Sequence, residues 1–296
     1  MTLLDELGAS IRRAAEHGTS SIVGIGRRFR GSGFVVGPGR VVTNAHNLRG
    51  DETTVTFADG RRETGRLLGI DAEGDLAVLA VETADLPVLK WSTATVAVGS
   101  PVLGVAFVPP AGARVTLGFV SAVDRAFRGP GGRRIGGSVE HTAPLAPGSS
   151  GGPLLDLDGR VVGVDTNRLG EGFYLALPAD EALRVRIEAL ARGESIQPVR
   201  LGVAVAPPFI GRRLRRSVGL AEVDGLLVRA VEPGSLAERA GLREGDLIVG
   251  AAGQPAGDVD ALHDILAAAE PPFDIRVVRG TEELTLSVGG PEVQEA

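Results

Sequence analysis

The chain has 296 residues, 43% of them hydrophobic and 23% charged, with a formal net charge of −6, enough for two globular domains with buried cores. The negative balance argues against nucleic acid as a partner, and the 43 glycines are spread through turns rather than in a collagen-like period. The absence of cysteine removes disulfides, thiolate nucleophiles and thiolate metal sites.

At the amino terminus Leu3, Leu4, Leu7, Ile11 and Ala14 or Ala15 fall near one face at helical spacing over residues 2–17. This helix (1–19 as a segment) either docks on the first barrel or a neighbouring subunit, or simply packs. His17 at its end reads as a partner of the helix dipole. Asp5 and Glu6 interrupt where a signal peptide would be apolar, and no run of about 18 apolar residues provides a membrane span. The direct expectation is a cytoplasmic protein, or a periplasmic or exported one if the chain is a trimmed form.

From Ser20 the period shortens to strands with glycine punctuation: Ser21–Ile25, Ser32–Val36, Arg40–Thr43, Thr53–Phe57, Arg61–Ile70 and Leu76–Val81. Six such strands can close one small barrel, about 20–90. The strand ending Val41-Val42-Thr43-Asn44-Ala45-His46 puts a histidine at its tip, and Asp75 stands just before Leu76-Ala77-Val78-Leu79. Taken singly, these are a structural histidine and a turn-capping aspartate. The segment Leu86–Ala97 crosses over and carries Trp91, a packing residue.

A second set of strands follows over 98–178: Pro101–Phe107, Arg114–Val123, Ser138–Thr142, Gly152–Asp156, Arg160–Asp165 and Phe173–Leu177. Turns are expected at Pro109-Pro110-Ala111-Gly112 and Gly129-Pro130-Gly131-Gly132. Between strands lies Pro147-Gly148-Ser149-Ser150-Gly151-Gly152-Pro153. Alone it is a surface turn; with Gly148 free to turn, the amides of Gly148 and Ser150 can form an oxyanion hole beside the Ser150 hydroxyl. A nucleophilic serine needs a base and a carboxylate behind it, and His46, Asp75 and Ser150 occur in that chain order.

Pro178-Ala179-Asp180 opens a helix with Leu183, Ile187 and Leu190 on one face and Gly193 as its stop, a linker over 179–197. A second domain, 198–290, then begins with Arg200-Leu201-Gly202-Val203-Ala204. Arg212, Arg213, Arg215 and Arg216 crowd between Ile210, Leu214 and Val218 as a short basic helix, either solvated or facing acidic partners or a membrane surface. His263 lies on the helix expected at Asp258–Ala269, ahead of strands Asp274–Val278 and Leu284–Val288.

The segments TNAH (43–46), GDLAVL (74–79) and PGSSGGPLLD (147–156) resemble the HtrA/Deg family of serine proteases. The residues 200–204, followed by PGSLAERAGLREGDLI (233–248), resemble a PDZ domain. The resemblance implies a mostly β chain: a chymotrypsin-like double six-stranded β-barrel followed by a PDZ domain. It implies Ser150 as nucleophile, His46 as general base and Asp75 as orienting carboxylate. Tyr174, Leu175 and Ala176 would line the specificity pocket, and Leu201, Gly202 and Val203 would hold a peptide C-terminus while the adjoining strand edge accepts the peptide.

The implied activity is ATP-independent endoproteolysis of unfolded or misfolded polypeptides by a homo-oligomer, in the family a trimer, although the first twenty residues lack aromatics that would build one. No cofactor is implied: there is no HExxH pattern and no glycine-rich loop ending in Lys-Ser or Lys-Thr. Three departures stand out: Ser149 where asparagine is common, Thr142 where an acid is common, and Tyr174 where glycine is common. Ser149 keeps a hydroxyl for the turn but cannot capture a new amino terminus as a carboxylate does, so ordering of loops is the expected control. The bulk of Tyr174 narrows the pocket. Pro144, six residues before Ser150, is uncharged, which points to cleavage after small or medium apolar residues. The alternative is a peptide-binding scaffold or chaperone with a weak or idle protease half.

Overall fold

Thr2 starts helix α1 (Leu3–Ser21) with a capping box: Thr2 Oγ1 accepts from the Asp5 amide at 3.2 Å, and Asp5 Oδ2 accepts from the Thr2 amide at 2.8 Å. These bonds to Thr2 hold the Asp5 carboxyl below its usual range. Leu3 and Leu4 remain 80% and 76% exposed, whereas Ala14 and Gly18 are buried. A Cβ on Gly18 would come within 2.8 Å of Val105 and 2.7 Å of Leu155. Both belong to the second barrel, so the helix docks there and not on the first barrel, through its carboxy-terminal half.

The computed structural model describes residues 2–109, 112–128, 134–170, 172–195 and 199–289. They divide into two units, Met1–Ile196 and Gln197–Ala296. Of the expected turns, Pro110, Ala111 and 129–132 lie outside the described residues, as do the domain edges at 196–198 and 290.

In the first unit β1 (Ile22–Ile25), β2 (Gly31–Gly37), β3 (Arg40–Thr43), β4 (Glu52–Thr56), β5 (Arg62–Asp71) and β6 (Leu76–Ala80) close a barrel in the order β1-β2-β3-β6-β5-β4. A second closed barrel follows: β7 (Pro101–Phe107), β8 (Ala113–Arg128), β9 (Arg134–His141), β10 (Pro153–Leu155), β11 (Val161–Gly170) and β12 (Phe173–Pro178), in the order β10-β11-β12-β9-β8-β7.

Alternation along the strands sorts the apolar residues between three places. Val23, Ile25, Val35, Val41, Val55 and Leu79 fill the first barrel; Val102, Val120, Val139, Leu154, Val162 and Ala176 fill the second. Their neighbours Phe34, Val42, Val78, Leu103, Val105, Phe107 and Leu155 form the core between the barrels. Trp91 packs on that seam with its ring 6.1 Å from Phe34 and edge-on.

Helix α2 (Glu181–Ala191) is capped by Asp180, whose Oδ1 accepts from the Leu183 amide at 2.8 Å. Leu183, Ile187 and Leu190 are buried against β5 and β6. The helix expected within the linker over 179–197 lies in the first unit and packs on its first barrel.

The second unit holds β13 (Val203–Ala206), α3 (Pro208–Ser217), β14 (Leu226–Val231), α4 (Leu236–Arg239), β15 (Leu247–Ala251), β16 (Gln254–Pro255), α5 (Val259–Ala268), β17 (Phe273–Arg279) and β18 (Glu282–Val288). Its sheet runs β13-β14-β15-β17-β18 with β16 beside β15, leaving β13 at an edge. Leu226, Val228, Ile248, Leu262, Ile275 and Val277 make the core. Asp246, 1% exposed, takes two bonds from Arg279 at 2.7 and 2.8 Å, which raise the guanidinium above its usual value. On α3, Arg212 and Arg216 pair with Asp224 and Glu222.

The packing of α2 has a sharp test. A Cβ on Gly69 would lie 2.6 Å from Leu190 O and 2.8 Å from Leu190 Cα, both backbone atoms. Gly69→Ala is expected to cost about 2 kcal/mol by prying α2 off the barrel, read as a lower urea midpoint at unchanged slope.

Candidate active site

Strand β3 ends at Thr43, and a single 3-10 turn (Ala45–Asn47) carries His46 out of the barrel. The turn preceding β6 brings Asp75 to meet it in a left-handed conformation (φ 55°). His46 Nδ1 lies 2.8 Å from Asp75 Oδ2 and 2.9 Å from Oδ1, and the His46 amide donates to Oδ1 at 3.1 Å. Thr166 Oγ1 donates to Asp75 Oδ2 at 2.6 Å, and Asn44 Nδ2 donates to the Asp75 carbonyl at 2.8 Å. Asp75 is 1% exposed, so its carboxylate is an acceptor saturated from within. That geometry favours the proton on Nδ1 and leaves Nε2 with a free lone pair.

Ser150 arrives from the other barrel, just ahead of β10. Gly148 sits at φ +91° and Gly151 at φ +87°, both left-handed, as the turn requires. The Ser150 carbonyl accepts from the Ser32 amide at 2.8 Å and from Asn47 Nδ2 at 2.9 Å. Ser32 Oγ donates to Gly148 O at 2.9 Å and accepts from the Phe107 amide at 2.9 Å. The amides of Gly148 and Ser150 serve no hydrogen bond among the described residues, which leaves them available as donors. Ser150 Oγ itself donates to Thr166 O at 3.1 Å; among the described residues no bond joins it to His46.

Beside Ser150 is a cavity of about 130 Å³ lined by 145–150, Asp165, Thr166, Arg168 and Tyr174. Tyr174 is a wall of it, its ring stacked on His141 at 5.8 Å. Leu175 and Ala176 point elsewhere, into the inter-barrel and second-barrel cores, and do not line the cavity. Ser149 Oγ is buried without a partner, so the expected hydroxyl contribution to the turn is absent; backbone bonds from the Ser149 amide to Ala146 O and the Gly152 amide to Ser149 O hold it instead.

Of the expected peptide-binding residues, Leu201 is buried and Val203 begins the edge strand β13. Gly202, at φ +76°, would meet Ser235 at 2.4 Å if it had a side chain. The Leu201 and Gly202 carbonyls are occupied by the Ala237 and Glu232 amides at 2.8 Å each.

Sequence reasoning passed over Ser32, Asn47 and Thr166, whose partners lie more than a hundred or ninety residues away. It also passed over the buried pair His141–Asp165, Nε2 to Oδ1 3.0 Å. The signal available was a polar residue at an inward position of a strand otherwise apolar.

Residues 31–164 match the model of the trypsin-like peptidase domain and residues 227–279 that of the PDZ domain, the latter match starting after Leu201–Val203. The putative serine protease HhoA of Synechocystis sp. is 34% identical over 285 residues, covering 88% of this chain and 70% of its own. A probable periplasmic serine endoprotease, DegP-like, of Halomonas elongata is 33% identical over 282 residues, 89% of this chain but only 57% of its own. Among solved structures, the HtrA-type protease AlgW with tripeptide superposes with a TM-score of 0.65 at 27% identity, over 94% of this chain and 95% of that one. The serine endoprotease from Yersinia pestis gives 0.69 at 24%, over 94% and 96%, a likeness of fold.

Burial raises the Asp165 carboxyl above its usual value, with His141 pulling the other way. A raised value means the folded state holds the proton more tightly than the unfolded one, so Asp165 favours folding at low pH and loses that contribution as pH rises past the usual 3.8 and through the folded value. Asp165→Asn should flatten this slope: the stability of wild type relative to the variant should fall from pH 4 to pH 7 in urea titrations.

Proposed function

The chain belongs to the HtrA/DegP type of serine endoprotease with a PDZ domain, and from that premise we propose that it hydrolyses unfolded or misfolded polypeptides with Ser150, His46 and Asp75, without ATP or metal. The observation that carries the reading is the His46–Asp75 contact at 2.8 Å, held by Thr166, the same residue whose carbonyl receives the Ser150 hydroxyl. In the proposed cycle a χ1 rotation moves Oγ from Thr166 O towards His46 Nε2, a cheap step for a serine. Oγ attacks the scissile carbonyl while Nε2 takes its proton and returns it to the leaving amine. Water then attacks the acyl group on Oγ, giving a proton to Nε2 that passes back to Oγ as the acid leaves. Asp75 keeps the proton on Nδ1 and offsets the imidazolium charge, and the Gly148 and Ser150 amides receive the oxyanion.

The cavity walls Leu145, Ala146, Pro147 and Tyr174 support a small apolar residue before the cut bond. Edge strand β13, following the turn at Gly202, supports strand addition by a peptide C-terminus at Leu201–Val203. Exposed Leu3, Leu4 and Leu7 support the trimer, which a mass measurement in solution tests. No helix among the described residues is long and apolar enough to cross a membrane; relatives named as periplasmic support an exported protein over a cytoplasmic one. The scaffold reading draws on the Ser150 hydroxyl being bonded away from His46.

A fluorophosphonate separates the two. Wild type should be labelled at Ser150 and Ser150→Ala should not, while Asp75→Asn should lower kcat about 10⁴-fold; an unlabelled wild type leaves the scaffold. Tyr174→Gly should raise kcat/KM for Leu- or Phe-ending over Ala-ending peptide substrates by about 10- to 100-fold, measured with a matched peptide series.

A further inference from the structure

The proposed triad uses one imidazole–carboxylate pair, and the second barrel holds another. His141 on β9 and Asp165 on β11 are both 0% exposed, with β12 between their strands. Their single bond, at 3.0 Å, leaves His141 Nδ1 and Asp165 Oδ2 buried without a partner. Such a pair is a poor way to stabilise a core, because an apolar set of the same shape avoids the desolvation cost.

What distinguishes this one is its backbone. The Asp165 carbonyl accepts from the Gly151 amide at 2.7 Å, and the Asp165 amide donates to Gly152 O at 2.9 Å. The next residue, Thr166, takes the Ser150 hydroxyl at 3.1 Å and gives its own to Asp75 at 2.6 Å. One dipeptide thus grips the glycines after the nucleophile, the nucleophile and the triad carboxylate.

We propose that His141 and Asp165 are positioning residues: their pairing fixes the Asp165-Thr166 dipeptide under Ser150, and the Asp165 charge adds to the negative potential in which His46 accepts a proton. This rests on the triad reading above. The groups around the pair are few. From β12 the Tyr174 ring stacks on His141, with the Arg168 guanidinium of β11 5.8 Å from that ring. Ser149 shares the cavity with Asp165, Val120 of β8 opposite His141 does not titrate, and beyond Thr166 stand Asp75 and His46. Glu140 is turned to Ser121 and Arg125. Asp71, also buried and bonded to the Gly74 amide beside Asp75, is paired with Arg186, so among the described residues Asp165 is the other buried carboxyl whose ionisation changes the field at His46. Burial holds its proton more tightly than usual, so its ionisation falls closer to that of an imidazole.

The test is the rate of Ser150 labelling by a fluorophosphonate as a function of pH. The wild-type acid limb should be broader than a single ionisation, because Asp165 ionising within it makes the imidazolium more favourable. In Asp165→Asn the midpoint should move to lower pH by about half a unit, since loss of a nearby negative charge makes the imidazolium less favourable. His141→Leu leaves the carboxyl buried without a donor, so it keeps its proton and should show the same displacement. In both variants the plateau rate should drop roughly tenfold as the dipeptide loosens. The ring resonances of His46, assigned with His46→Gln, should change at correspondingly lower pH, a readout that needs no catalysis and that a merely structural pair would not move. Midpoints of both variants coinciding with wild type overturn the proposal; should neither variant fold, a wild-type limb described by one ionisation does so. Undiminished labelling of His46→Ala would instead sink the triad reading, and this inference with it.

Discussion

Everything at the site depends on the grip of Ser32 on the loop that carries Ser150. Ser32 is fully buried on β2, and its amide and hydroxyl donate to Ser150 O and Gly148 O while the hydroxyl accepts from the Phe107 amide. Its own carbonyl takes the Thr43 hydroxyl, and Thr43 Oγ1 in turn accepts from Asn47, which also reaches Ser150 O. Each bond is worth about 1 kcal/mol net, but a buried donor or acceptor left unmade costs more. The network therefore acts as a registration device: the barrels either dock in the one arrangement that satisfies it or leave several polar groups stranded.

Apolar packing brings the barrels together but does not choose between nearby arrangements. Phe34, Val42 and Val78 from one side and Leu103, Val105 and Leu155 from the other are fully buried, and each contributes about 1.5–3 kcal/mol without regard to direction. Direction comes from the glycines where the backbones touch. Gly151 would place a Cβ 2.3 Å from Ser32 O of the first barrel, and Gly152 one 2.2 Å from Val105 O of its own barrel. Gly151 thus serves two ends, room for a substrate and the closeness of two barrels, while Gly152 lets the loop lie against β7.

The parts of this molecule that announce themselves in sequence are the ones whose geometry is local. Both barrels were legible from period-two strands and glycine turns, and β7 runs from Pro101 to Phe107 as read. His46, Asp75 and Ser150 each lie in a short motif at a strand edge, so the sequence brought them to notice. Ser32 reads as the first residue of a strand and Thr166 as the start of a loop, and only contacts 116 and 91 residues away give them meaning. The same limit shows in α1: Ile11 and Ala14 of the expected apolar face, together with Gly18, fit against the barrel, while Leu3, Leu4 and Leu7 of that face stay exposed. Leu175 and Ala176 fail for a similar reason, since they flank a pocket residue in sequence but face the two cores.

Ser149 shows how control of such a site can move away from the residue next to the nucleophile. A carboxylate at that position could hold the loop by an ion pair; a neutral hydroxyl, buried and without a partner, holds nothing. The loop's shape then rests on bonds from elsewhere: Ser32 and Asn47 on the side of the first barrel, Asp165 and Thr166 on the side of the second. All four reach the loop through its backbone or the Ser150 hydroxyl, so a disturbance of either barrel is felt directly by the donors at Gly148 and Ser150. A loop supported from two sides and by no charge of its own responds to the docking of the barrels as a whole, and the ordering of that seam becomes the natural point at which activity is set.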